Sequence, residues 1–137
     1  MKTKNKIMKR EIKFRAWDKE YKNFNETVAA NLLLQIHEPS EDIDEEYGKR
    51  FFLEQFTGLL DKNGKEIYEG DILSKGKISK RPSWKKGHDY YCVSFSNGVF
   101  VANGYNGEFK VSPILHNLNS GCEIIGNIHE NPELLNN

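Results

Sequence analysis

Three of the four Asn-Gly pairs, at 63–64, 97–98 and 106–107, sit close to short runs of mixed apolar and polar residues. Asn and Gly accept the left-handed backbone that tight hairpins require, so this pattern commits much of the chain to antiparallel strands. Around the second pair a two-residue turn sets Phe95 opposite Phe100, an aromatic cross-strand pair worth about 0.2 to 1 kcal/mol over alanines. Around the first pair, a two-residue turn would oppose Lys62 to Lys65 and Asp61 to Glu66, and both like-charge pairs disfavour it. A three-residue loop, Lys62-Asn63-Gly64, instead opposes Asp61 to Lys65 and Leu59 to Ile67. It predicts a positive φ at Gly64 and a bulge. Gly70-Asp71 predicts a bend before Ile72 and Leu73, where the chain enters a second sheet or turns a barrel corner.

Other segments follow the same logic. Ile12, Phe14 and Ala16 alternate with Lys13, Arg15 and Trp17, and the turn-like "DKEYKN" leads to Phe24, which predicts an opening hairpin. In "TVAANLLLQIH", Val28, Ala30, Leu32, Leu34 and Ile36 fit a period of two. The helical stripe Val28, Leu32, Ile36 is filled in by Asn31 and Gln35, so a strand is expected over 27–36, although Ala and Leu favour a helix. Six acidic residues between Glu38 and Glu46 predict a solvated loop. Asn106-Gly107 opens a strand, "EFKV", and "CEIIGNI" reads as a closing strand. Asn131 as N-cap with Pro132 at the first helical position predicts a short terminal helical turn. The expected fold is mainly β, a small barrel or sandwich with SH3-like features and a short C-terminal helical turn. Residues 1–10 are expected to form a flexible tail, and 11–137 a single β domain large enough to bury its own core.

Composition narrows the function classes. Twenty basic residues balance twenty acidic ones, so no global field draws the whole chain to nucleic acid or an anionic membrane. Cys92 and Cys122 lack CxxC spacing and are too few for a disulfide scaffold, which points to a reducing cytoplasm. The start "MKTKNKIMKR" is not followed by the apolar core of a secretory signal, and no apolar run approaches the roughly 20 residues that span a membrane.

Candidate chemistry is sparse. Asp61, Glu66, Glu69 and Asp71 cluster in sequence around the first hairpin. Asp61 reads as a turn-capping residue and Glu66 and Glu69 as exposed strand positions, with no partner base or nucleophile beside them. His88, Cys92, His116, Cys122 and His129 match no zinc spacing, and the cysteines read as small buried hydrophobes. A Cys-His nucleophile pair has no third orienting residue. The sequon Asn25-Glu26-Thr27 stays unmodified in a reducing cytoplasm. No phosphate-binding GxGxxG or GxxxxGK[ST] occurs. No catalytic residue, metal or cofactor is expected.

"KFRAWDKEYKNF", "QFTGLLDKNGKEIYEGDIL" and "EIIGNIHENPELL" together, in this order and spacing, resemble the YopX protein family. The resemblance implies a largely β, cytoplasmic protein encoded by a bacteriophage or prophage, with no catalytic residues to transfer. The acidic stretch from Glu38 to Glu46 and the basic one from Lys75 to His88 are least like the family motifs.

The basic stretch, "KGKISKRPSWKKGH", holds Lys75, Lys77, Lys80, Arg81, Lys85 and Lys86 around Trp84, with no acidic residue. Cations neutralise phosphates and an exposed indole stacks on unpaired bases, a combination suited to single-stranded nucleic acid. The plainer reading is an exposed hairpin tip whose lysines maintain solubility. A third is pairing with the acidic stretch, within one molecule or between copies. The sequence therefore points to a non-enzymatic binding or assembly module acting through protein interaction or self-association, with single-stranded nucleic-acid binding through 75–88 as the alternative and no membrane partner.

Overall fold

The computed structural model describes residues 11–37, 49–74, 90–104, 111–112 and 121–135. The sequence expectations for residues 1–10, 38–46, 75–88 and 106–107 lie outside the described residues. Strands β1 (Phe14–Asp18), β2 (Asn23–Asn25), β3 (Phe51–Leu60) and β4 (Glu66–Tyr68) form one antiparallel sheet in the order β2-β1-β3-β4. Strands β5 (Asp71–Ser74), β6 (Tyr90–Ser96), β7 (Val99–Gly104), β8 (Val111–Ser112) and β9 (Glu123–Asn127) form the second, in the order β8-β7-β6-β5-β9. The architecture is mainly β, with one sheet curled into a half-barrel and one small helix.

The predicted turns that fall on described residues are present. Trp17 lies opposite Phe24 in the opening hairpin. Asn97 and Gly98 take φ of 51° and 80°, the mirror-image turn that matches strand twist, and Phe95 faces Phe100 with ring centroids 5.1 Å apart. At the first hairpin Asp61 N–H donates to Lys65 O (2.8 Å), and Gly64 has φ 81°. That register ends after Leu60↔Glu66. The next pair is Phe56↔Tyr68, so three residues of β3 face the single Ile67 and the expected Leu59–Ile67 rung gives way to a bulge with Gly58 at φ 86°. Gly70, at φ 80°, turns the chain into the second sheet, as expected of that bend.

Residues 26–37 are helical, which corrects the expected strand. The helix α1 (Glu26–His37) starts where Asn25 Oδ1 accepts the N–H of Val28 (3.0 Å), and Glu26 places a negative charge in its first turn. Val28, Ala29 and Leu32 form the contact stripe, packing on Ala16, Phe51, Phe14 and Leu53. The small Ala29 and Ala16 bring helix and sheet close, and the helix propensity of Ala and Leu prevails over the apparent period of two.

A second core joins Ile67 of the first sheet to Leu73, Val93, Ala102 and Cys122. β9 closes the second sheet by pairing Asp71 with Asn127. The expected terminal turn is a 3-10 helix, Pro132–Leu135. Asn131 Oδ1 accepts the Asn127 N–H (3.3 Å), while the Asn131 carbonyl accepts the N–H of Leu134 (3.1 Å). No helix among the described residues is long and apolar enough to cross a membrane.

Candidate functional site

Alternation along β1 and β3 divides the first sheet into an apolar face and a charged one. Phe14, Ala16, Phe51 and Leu53 meet the helix, while Arg15, Trp17, Phe52 and Glu54 point the other way. There they meet β5 and the turn after β9. Arg15 Nε donates to Glu54 Oε2 (2.8 Å), and its Nη2 donates to Asp71 Oδ1 (2.8 Å) and to Glu69 O (3.1 Å). Its guanidinium lies over the rings of Phe24 (4.0 Å) and Tyr68 (4.7 Å). Asp71 Oδ2 accepts the Tyr68 N–H (2.8 Å).

Glu54 Oε1 lies 2.6 Å from His129 Nε2. Asn127 Oδ1 accepts the N–H groups of His129 (3.0 Å) and Glu130 (2.9 Å) and so fixes the turn that presents the imidazole. That ring stacks on Trp17, with centroids 4.9 Å apart and planes 8° from parallel.

These polar side chains are largely withdrawn from solvent: Arg15 is 14% exposed, Glu54 6%, Asp71 3% and His129 8%. Desolvation raises the Asp71 carboxyl above its ordinary value against the opposing pull of Arg15. Burial pushes the neighbouring Cys92 thiol up to about 11, with Glu54 and Asp71 adding to the shift. Each carboxylate oxygen of Glu54 and Asp71 has a partner, and a Cβ at Gly70 would overlap Glu54 Oε1. The cluster fills its space and joins the sheets, so its chemistry is that of a polar seam.

An open concavity lies elsewhere. A groove of about 380 Å³ runs between α1, the start of β1 and β4. Ile12, Phe14, Ala30 and Leu33 give it apolar walls; Glu26, Glu66, Lys13 and the Tyr68 ring complete it. Lys13 Nζ is bonded to Glu66 and lies 3.2 Å from Glu11, and these contacts, with Glu66 first, raise its ammonium above the ordinary value. Tyr68 Oη donates to Glu66 Oε2 (3.2 Å). Lys13 and then Tyr68 hold the Glu66 carboxyl below its usual range.

The basic stretch expected to bind, with Lys75, Lys77, Lys80, Arg81, Trp84, Lys85 and Lys86, lies outside the described residues, as do His88 and His116. The strands bordering it pair Ser74 with Tyr90. Asp61 is the cap it was expected to be. Its Oδ1 accepts from Asn63 (2.8 Å) and Lys65 (2.9 Å) and its Oδ2 from Ile124 (3.1 Å). Burial opposes ionisation there, but these N–H groups outweigh it and hold the carboxyl low.

Glu66 and Glu69 are not the simple exposed strand positions expected. Both are half-buried, and Glu69 Oε2 accepts the Gln55 N–H (2.7 Å). Cys92 and Cys122 are buried and do not form a disulfide. Among the described residues no group of His, Cys, Asp and Glu is arranged to hold a metal. Sequence reasoning missed the seam. Its one local sign was Glu54 standing inside the apolar strand "FFLEQF".

Comparison with known proteins agrees with this fold. The crystal structure of protein EF1440 from Enterococcus faecalis is similar with a TM-score of 0.54 and 25% identity, over 93% of this chain and 99% of that one. A search of curated proteins found no match. The profile of the YopX protein family matches residues 13–136, nearly the whole sequence, and the chain therefore belongs to that family.

Proposed function

We propose that the protein is a non-enzymatic binding or assembly module encoded by a phage or prophage, working in the cytoplasm of its bacterial host through protein interaction or self-association. The observation that carries this reading is the β5–β6 ladder. Its Ser74↔Tyr90 pair brings together the two ends of the segment that holds Lys75, Lys77, Lys80, Arg81, Trp84, Lys85 and Lys86. A segment tied at both ends to a sheet is a common way for a rigid scaffold to offer a recognition surface. The burial and mutual pairing of Arg15, Glu54, Asp71 and His129 support a structural use of those groups. The short antiparallel strands of the second sheet favour an SH3-like description of that half. The phage and cytoplasmic parts of the proposal rest on the family resemblance and on cysteine usage.

The density of cations around Trp84 favours single-stranded nucleic acid as a second reading. Solution mass and affinity capture from host cells, with and without nuclease, separate the two. A mass above 15.9 kDa or a nuclease-resistant protein partner supports assembly. Salt-sensitive retention on single strands that weakens when Lys85 and Lys86 are neutralised supports the second reading. A monomer without a nuclease-resistant partner overturns the first.

A further inference from the structure

The groove between α1 and β4 has a sign. Glu26, Glu66 and Lys13 line it, and the Lys13 ammonium is already held by Glu66 and by Glu11 beside the groove. With Glu11 counted beside the lining carboxylates, two negative charges are in excess here, next to apolar walls contributed by Ile12, Phe14, Ala30 and Leu33. A volume of about 380 Å³ suits one or two long side chains. An aliphatic stem carrying a cation meets both requirements, because the stem lies along apolar surface while its head stays at the carboxylates.

The chain itself carries such side chains in concentrated form. Residues 75–88 hold six lysines and arginines and no carboxylate. We propose that the groove receives a lysine or arginine side chain from residues 75–88 of a second copy of this chain, making the groove the acceptor half of a head-to-tail contact. Glu26, exposed in the first turn of α1, supplies the attracting carboxylate, and the Tyr68 ring flanks the incoming cation. This inference rests on the self-association reading and adds a location and a chemistry to it. An unclosed contact of this kind extends with concentration, whereas a two-fold contact stops at the dimer.

Sedimentation equilibrium of the full chain at low and high salt tests it. The wild type should gain mass above 15.9 kDa with concentration and lose it with salt. Glu26→Lys, and separately Lys85→Glu with Lys86→Glu, should each weaken association about tenfold or more, and Glu26→Gln less. Combining Glu26→Lys with the two glutamates in one chain should restore it. Thermal melting of each variant identifies any that fail to fold, and the combined variant regains association only if the two surfaces meet. A wild type that associates but is indifferent to Glu26→Lys, or a folded combined variant that stays weak, overturns the groove while leaving assembly intact. A wild type that stays monomeric at every concentration overturns both the groove and self-association, and salt-sensitive contact confined to one molecule would appear as that monomer.

Discussion

Gly64 and Gly70 share a backbone conformation, with φ of 81° and 80°, but not a neighbourhood. Nothing lies within 4 Å of a Cβ built at Gly64, so Gly64→Ala should cost only the strain of the left-handed region, about 1 kcal/mol. At Gly70 a Cβ would displace a Glu54 carboxylate that Arg15 and His129 hold in place, and Gly70→Ala should cost about 2 to 4 kcal/mol. Denaturant midpoints of the two variants check the ordering, and equal losses would mean that Glu54 moves freely.

Asp18 gives a pH test at the same scale. Its bonds to Arg50 (2.9 and 2.6 Å), aided by the N–H groups of Tyr21 and Glu20, outweigh desolvation and pull the carboxyl down to about 2. Because the folded value lies below the ordinary 3.8, the pair stabilises fully above about pH 4, and its contribution disappears as pH falls through about 2. Asp18→Asn should flatten that part of the acid-stability profile. Residue-level features that depend on local geometry were legible in the sequence: Gly64 and Asp61 follow from charge pairing across one short loop. The ion pair of Glu66 was not, because its partner Lys13 is 53 residues away.

At the level of elements, turns were readable and the helix was not. A hairpin loop is specified by two or three residues, whereas the choice between helix and strand for residues 26–37 is made by what the segment packs against. Val28, Ala29 and Leu32 find their partners on β1 and β3, and no window within the segment contains that information. Asn25 was the local sign, an N-cap three residues before Val28. Asn25→Ala should destabilise the protein by about 1 kcal/mol and reduce the helical component of the far-UV spectrum. A neutral result would show that packing on Ala16 holds the first turn unaided. The β3 bulge was missed for a similar reason, since Gly58 is an ordinary residue in the sequence until the long strand must curve.

The whole molecule is held at its seam by residues distant along the chain: Arg15 reaches 39 residues to Glu54 and 56 to Asp71, and Glu54 reaches 75 to His129. Alternation reveals that Arg15 leaves the helix-facing side of β1, but not that a second sheet waits there. Removing the cation should be severe, because it strands two buried carboxylates. Arg15→Met is expected to lose about 3 to 5 kcal/mol by chemical denaturation, while Arg15→Lys should recover part of that loss. A loss below 1 kcal/mol would mean that water reaches the seam.

The same distances impose an order on biosynthesis. The helix and every strand of the first sheet have been made by Tyr68, yet Asp71 and His129 have not. Until β5 and the turn after β9 arrive, Arg15 and Glu54 face water, where charged groups are well solvated. The polar lining that later joins the two sheets thus gives the half-made chain a wettable surface, where an apolar lining would have exposed it to aggregation on the ribosome.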